Sequence, residues 1–360
     1  MAGDERDVVA ERGEALALFV KDPRIADAMN RRQVTDLLRR HAGILAISGP
    51  LARLTLKALR HRTKIVYAHQ VAPPAPHFAD FAPTFGPEQL DAHLTTLERH
   101  FEFAPLADVL ASDGRDSSLL AVTFDDGFDL ISSGGKAVLD AHGVKATTFV
   151  LTAMLDNRGL MWRNKLSAIR ALRAPDAVVS AYNRVTAQVA GAPIRESSQL
   201  LGAAMSWDMG RKDELADELW AACDMPPLDE YIEEHRPYLS REQLATWLAD
   251  GHGVGLHTDS HPDCSRLDAD GVRAEILGPA RRLSAELGVS NLAFSYPFGR
   301  RVRTELEPLL AEDGLLQCAL GIRGFSPAGT SPMRLDRASI EGDMRFSVYG
   351  KAFLDFPRAS

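Results

Sequence analysis

Residues 119–127 read Leu-Leu-Ala-Val-Thr-Phe-Asp-Asp-Gly, and the fold turns on them. Six apolar or β-branched residues, too few for a helix, break into two acids and a glycine, which predicts a buried strand ending in a turn. A helical pattern runs from there to about His142, and a second apolar run spans Ala146 to Leu151. Strand, helix, strand at this length is the grammar of a parallel sheet covered on both faces. Upstream, Lys64-Ile-Val-Tyr-Ala-His69 is another strand, stopped by VAPPAP, and Pro87–Phe101 carries Leu90, Leu94, Leu97 and Phe101 at helical steps behind a proline. Downstream, the alternation resumes as helix Arg241–Asp250, strand Val254–His257, helix Asp268–Leu287, strand Leu292–Ser295, helix Thr304–Asp313 and strand Leu316–Leu320. From Asp156 to about His235 the chain is helical without a strand-like run, so this stretch reads as an insertion. Residues 1–60 read as an appended helical segment, with Leu16, Phe19, Ile25 and Met29 at helical spacing, and residues 351–360 as a tail.

Composition narrows the function classes. A chain of 360 residues, 45% hydrophobic and 25% charged, has the make-up of one large or two ordinary globular domains, not of a disordered, collagen-like or coiled-coil protein. Forty-nine acids against 41 Lys and Arg give a net charge of -8, which argues against a nucleic-acid partner. Cys223, Cys264 and Cys318 form no CxxC pair, so neither a disulfide framework nor a cysteine zinc site is expected. The amino terminus lacks the basic-then-apolar order of a secretory signal, and the apolar stretch Gly43–Leu59 is interrupted by Arg53 and Lys57. A cytoplasmic location is the expectation. Arg53, Lys57, Arg60, Arg62 and Lys64 read as a solvated helix face, with peripheral membrane contact as the alternative.

In parallel α/β folds ligands gather at the carboxyl ends of the strands. Four polar clusters fall there: His69, Thr123–Gly127, His257-Thr-Asp-Ser-His261 and Ser295-Tyr-Pro-Phe-Gly299. Asp125 and Asp126 can share a site only if the strand has ended, which Gly127 permits; one carboxylate then suits a cation and the other proton transfer. His257 and His261 are four apart, side by side if the segment makes one helical turn, and imidazole with carboxylate suits zinc or a similar divalent ion. The intervening Thr-Asp-Ser lacks the glutamate base of HEXXH peptidases, and no Walker A loop or GxGxxG follows a strand.

Taken in order, TFDDG, GLHTDSHP and FSYPFG, with AHQVAP ahead of them and GVKATTFV after the first, resemble the polysaccharide deacetylases of carbohydrate esterase family four, the NodB-homology family, over about residues 64 to 345. The resemblance implies a distorted (β/α) barrel at residues 61–350 and a metal-dependent hydrolase removing N-acetyl groups from amino sugars, with zinc the expected metal and cobalt or nickel as substitutes. By motif position Asp125 would be the general base, Asp126, His257 and His261 the metal ligands, and His69 the general acid. Phe298 would offer its backbone N–H to the oxyanion, with Tyr296 beside it toward substrate. The commonest third motif begins with arginine; Ser295 stands there, and Arg337 in MRLDRASI is the candidate replacement. Trp162, in the insertion, is a candidate sugar-stacking ring. An N-acylated sugar or glycoside is the implied substrate, a formamido sugar the close alternative, and a catalytically silent glycan-binding protein the alternative from another class.

Overall fold

In a computed structural model the chain is described at residues 49–350 except 73, 81–85, 116, 189–191 and 343. The helical reading of residues 1–48 and the tail 351–360 lie outside the described residues; α1 is Gly49–Leu59. Six parallel strands form the main ladder: β1 (Ile65–Ala68), β2 (Leu119–Phe124), β3 (Thr147–Val150), β4 (Gly253–Leu256), β5 (Leu292–Ser295) and β6 (Leu316–Gly321). Two strands of two residues, β7 (Leu335–Asp336) and β8 (Ala338–Ser339), complete the order β7-β6-β5-β4-β3-β2-β1-β8. β7 pairs with β6, Leu335 opposite Leu320, while β8 pairs with β1, Ala338 opposite Val66. The stretch 335–339 therefore bridges the two edges of the sheet with Arg337 as its middle residue. The result is the distorted (β/α) barrel that the motifs implied, closed by a segment too short to show as a strand pattern.

Alternation within the strands sorts the side chains. Ile65, Ala121, Phe149, Ala293, Cys318 and Leu320 cluster inside the barrel. Their chain neighbours Val66, Leu120, Val122, Val150, Leu292 and Phe294 pack outward with Leu90, Leu94, Leu139 and Leu283 from the surrounding helices. The interior is tight at Gly255, where an added Cβ would lie 2.6 Å from the Phe149 ring and 2.8 Å from the Ala293 carbonyl. Continuing the same period upward puts Tyr67, His69, Thr123, Asp125 and Ser295 on the inner face at the carboxyl end. The helix entering β4, Arg241–Ala249, opens with a capping box: Ser240 Oγ accepts from the Gln243 N–H at 3.1 Å, and Gln243 Oε1 accepts from the Ser240 N–H at 2.7 Å.

Between β3 and β4 the expected helices are present: α2 (Trp162–Leu172), α3 (Pro175–Val185), α4 (Leu200–Ala204), α5 (Lys212–Ala222) and α6 (Leu228–His235). They enclose a core of their own around Trp162, Ile169, Tyr182, Trp207, Leu219 and Trp220, which meets the barrel through Phe78 and Phe128. One expectation is corrected here. Lys64 is not on a solvated basic face; it is buried, its Nζ donates to the Leu59 carbonyl at 3.1 Å and the Arg62 carbonyl at 2.7 Å, and burial lowers its pKa to about 8. All three cysteines are buried and free, and among the described residues no helix is long and apolar enough to cross a membrane.

Candidate active site

At the exit of β2 the chain reverses within two residues, Asp126 at φ 68° and Gly127 at φ 69°. A non-glycine residue in this left-handed region is unfavourable by roughly 1–2 kcal/mol. The turn brings both aspartates of the pair into one site, Asp125 from the inner face of the strand and Asp126 from the turn. At Gly127 a Cβ would approach Val150 at 3.1 Å, so the glycine answers both to backbone angle and to space.

Asp125 is buried against Arg337, which is itself fully buried. The pair is bidentate: Nη1 donates to Oδ1 at 2.8 Å and Nη2 to Oδ2 at 2.7 Å. The same guanidinium donates to Thr123 Oγ1 at 3.0 Å and Ser295 Oγ at 2.7 Å, and lies over the Tyr67 ring, 4.7 Å from its centroid. Burial alone would push the Asp125 carboxyl up, but Arg337, helped by His257, holds it below the usual carboxylate range. Ser295 thus occupies the place of the motif's arginine and accepts a hydrogen bond from the arginine that replaces it.

Asp126, His257 and His261 come together and are buried, each offering a ligand atom within 4.8 Å of the others. Asp126 Oδ1 lies 3.3 Å from His257 Nε2 and 3.4 Å from His261 Nε2, yet neither Asp126 oxygen has an aligned hydrogen-bond partner among the described residues. A buried carboxylate left unsatisfied in this way is costly unless something else takes its lone pairs. His257 is oriented from behind, its Nδ1 donating to the Ser295 carbonyl at 2.8 Å, so that Nε2 is the nitrogen facing Asp126. His261 Nδ1 is buried with no hydrogen-bond partner among the described residues, and burial lowers the pKa of this ring well below the ordinary value.

The spacing of the two histidines is realised differently from the helical turn expected. Residues 257–263 form a loop in which Thr258 has φ 76° and His261 φ 61°, with the His261 N–H donating to Thr258 Oγ1 at 2.9 Å. Two left-handed residues, not one turn of helix, carry the second imidazole back beside the first.

Across the mouth, His69 follows β1 and is tied to Glu341, two residues past β8. The His69 backbone N–H donates to Oε1 at 2.7 Å and its Nδ1 lies 2.9 Å from Oε2. Burial would lower the imidazole pKa, but Glu341, with Asp126 and Asp125, raises it to about 9. Phe298, at φ 58°, turns its ring edge-on to His261, 4.7 Å between centroids, with the Arg163 guanidinium 5.0 Å from the ring centre. Gly299 follows at φ 63°, and a Cβ there would collide with Ile322 at 2.3 Å.

Two expected substrate contacts lie elsewhere. Tyr296 is buried against Phe294, ring centroids 4.7 Å apart, on the outward side of β5, with Arg301 over its ring at 5.4 Å. Trp162 is fully buried, so no face of its ring is open to stack on a sugar; its Nε1–H donates to the His261 carbonyl at 3.0 Å. Sequence reading passed over Glu341 and Arg163. Glu341 carries one signal in retrospect, an acid two residues beyond the segment that holds Arg337.

Residues 225–315, which span the histidine loop and β5, match the polysaccharide deacetylase family model. No curated protein sequence matches the chain. Among solved structures, the deacetylase PplD of Streptococcus pyogenes, in complex with acetate, superposes with a TM-score of 0.50 at 15% identity, covering 81% of this chain and 96% of that one. IcaB from Ammonifex degensii is similar at a TM-score of 0.46 and 16% identity, covering 81% and 96%. A polysaccharide deacetylase from Bacillus cereus gives 0.49 and 13%, covering 81% and 68%. Residues 225–315, with the histidine loop, are thus similar to the polysaccharide deacetylase family, and the barrel is a fold held in common with the Streptococcus pyogenes deacetylase.

Proposed function

We propose that this chain is a divalent-metal-dependent hydrolase that removes the N-acetyl group from an amino sugar in a glycan or glycan-bearing intermediate. The observation that carries the reading is a buried carboxylate with two unpartnered oxygens, Asp126, set between two imidazoles and next to a second carboxylate, Asp125, locked by Arg337. One acid and two histidines in this state fit a divalent cation, zinc first, with cobalt or nickel as substitutes. Bound there, such an ion supplies Lewis acidity toward water and the amide carbonyl.

The chain's own groups divide the proton work. Asp125, kept ionised by Arg337, accepts the proton of the attacking water, and the bidentate pairing fixes the direction of its free lone pairs. An amine cannot leave as its anion near neutral pH, so it needs an acid. His69, held protonated by Glu341, takes that role. The Phe298 N–H is assigned to the oxyanion, where a preorganised donor lowers the barrier by about 3 kcal/mol.

The test is acetate release from N-acetylglucosamine oligomers and from N-formyl analogues by zinc-loaded protein. Asp125→Asn should retain zinc and lose activity by about 10²–10⁴-fold. Release of acetate unchanged in D125N, or no acyl release from any N-acylated sugar by the zinc-bound wild type, would overturn the proposal. Glycan binding without turnover in the wild type would instead support a silent binding protein.

A further inference from the structure

We infer that the helical insertion is a clamp on the metal loop: Trp162 and Lys212 act as positioning residues for His261 and so set the affinity of the site for a divalent cation. The inference rests on the function proposed above and concerns what holds the ligands in place.

The two histidines are supported unequally. His257 follows directly from β4 and has its outer nitrogen on the Ser295 carbonyl. The outer nitrogen of His261 has no hydrogen-bond partner among the described residues, so its ring is placed through its backbone, the edge contact with Phe298 and the His257 ring 5.1 Å away. That backbone is itself in a left-handed conformation at both Thr258 and His261, which persists only where neighbours over-determine it. From the barrel side come the Thr152 N–H on the Thr258 carbonyl at 3.3 Å and the Ala153 N–H on the Asp259 carbonyl at 3.1 Å.

Glu275, Arg282 and Arg300 also reach the loop from outside the insertion, at Asp259, Ser260 and Asp263, and further contacts come from the insertion. Trp162, at the start of α2, donates its indole N–H to the His261 carbonyl at 3.0 Å. Lys212, at the start of α5, is buried and reaches Ser260 Oγ at 2.7 Å, while Ser260 in turn donates to Glu275 Oε1 at 2.6 Å through its hydroxyl and to Oε2 at 2.9 Å through its backbone N–H. Met209 Sδ accepts from the Asp263 N–H at 3.3 Å. Burying a lysine is unfavourable unless its ammonium is fully engaged, and here Asp213 Oδ2 at 2.7 Å and Ser260 engage it. Three separate points of the insertion thus grip the loop at residues 260, 261 and 263, around the histidine whose outer nitrogen has no hydrogen-bond partner among the described residues.

The experiment compares wild type, Trp162→Phe, which keeps the ring and loses the N–H, and Ser260→Ala, which removes the Lys212 acceptor. Zinc affinity is measured by competition with a chromogenic chelator, cobalt-loaded protein gives the d–d absorption spectrum, and metal-free thermal unfolding reports the fold. Zinc affinity should fall by about 10–100-fold in W162F, the range found when groups behind metal ligands are removed, with a shifted cobalt spectrum and a nearly unchanged metal-free fold. S260A should weaken zinc in the same direction and decides the matter if W162F does not fold. Zinc affinity within twofold of wild type in both folded variants, with an unaltered cobalt spectrum, overturns the clamp while leaving the proposed function standing. A wild type that binds neither ion overturns both.

Discussion

Replacing Arg337 by methionine keeps much of the volume of the side chain and removes the charge that pairs with Asp125. Five donor contacts disappear, two to Asp125 and one each to Thr123, Ser295 and the Gly321 carbonyl, together with the stacking over Tyr67. Breaking a buried ion pair by removing one partner typically costs about 3–5 kcal/mol. The carboxyl has one escape, which is to take up a proton. Neutralising an aspartate of ordinary pKa near 3.9 costs about 1.4 kcal/mol per pH unit above that value, so the electrostatic loss is capped near about 4 kcal/mol at pH 7 and about 1.5 kcal/mol at pH 5. The sign follows from the direction of the shift. In the wild type the Asp125 pKa lies below its unfolded value, so its stabilisation is present above the unfolded pKa and lost as pH falls. In R337M the folded pKa rises above the unfolded one, and the variant loses stability as pH rises. The gap between the two proteins therefore widens from pH 5 to pH 7. Urea unfolding of metal-free protein at both pH values measures it, and the double variant D125N/R337M should recover part of the loss at pH 7. A gap below about 1 kcal/mol at pH 7, or the same gap at pH 5, would refute the assignment of Arg337 as the counter-ion of Asp125.

Glu341→Gln removes the main group that raises the His69 pKa, so the alkaline limb of the pH–rate profile should move to lower pH with the zinc content unchanged; an unmoved limb would separate His69 from the acid role. His77 is buried, its Nδ1 3.0 Å from the Tyr231 hydroxyl, and burial with the neighbouring His235 lowers its pKa to about 3. The unfolded chain takes up that proton below about pH 6.5, so stability should fall by about 2 kcal/mol between pH 6.5 and 5, and His77→Gln should lessen that slope in urea titrations. Gly255→Ala drives a methyl into the Phe149 ring and the Ala293 carbonyl and should cost about 1–3 kcal/mol in the same assay, whereas a neutral result would mean the barrel interior is looser than drawn.

The parts of this molecule that are legible in its sequence are those where one local pattern has one solution. Short apolar runs such as Ile65–Ala68, Leu119–Phe124 and Gly253–Leu256, each ending at a histidine or an acid, read as buried strands with polar exits, and alternation within the strands places Asp125 and Ser295 on a common face. The barrel's closure is not legible because β7 and β8 are two residues each and the residue between them is a buried arginine. MRLDRASI has no apolar run, and burying Arg337 makes sense only once Asp125, far away in sequence, is known to face it. The histidine spacing misleads for a related reason. Four residues separate the rings in an α-turn, yet the same separation is reached by left-handed Thr258 and His261 when outside groups hold them, and no glycine marks the place. Trp162 was readable as a helix residue but not as the donor to His261, because that hydrogen bond spans 99 positions and depends on how the insertion seats against the loop. Long-range charge pairing and externally imposed backbone angles are what a single sequence conceals, and both gather where the chemistry sits, since a site held only by local preferences would have no means of keeping a carboxylate ionised or a second imidazole in place.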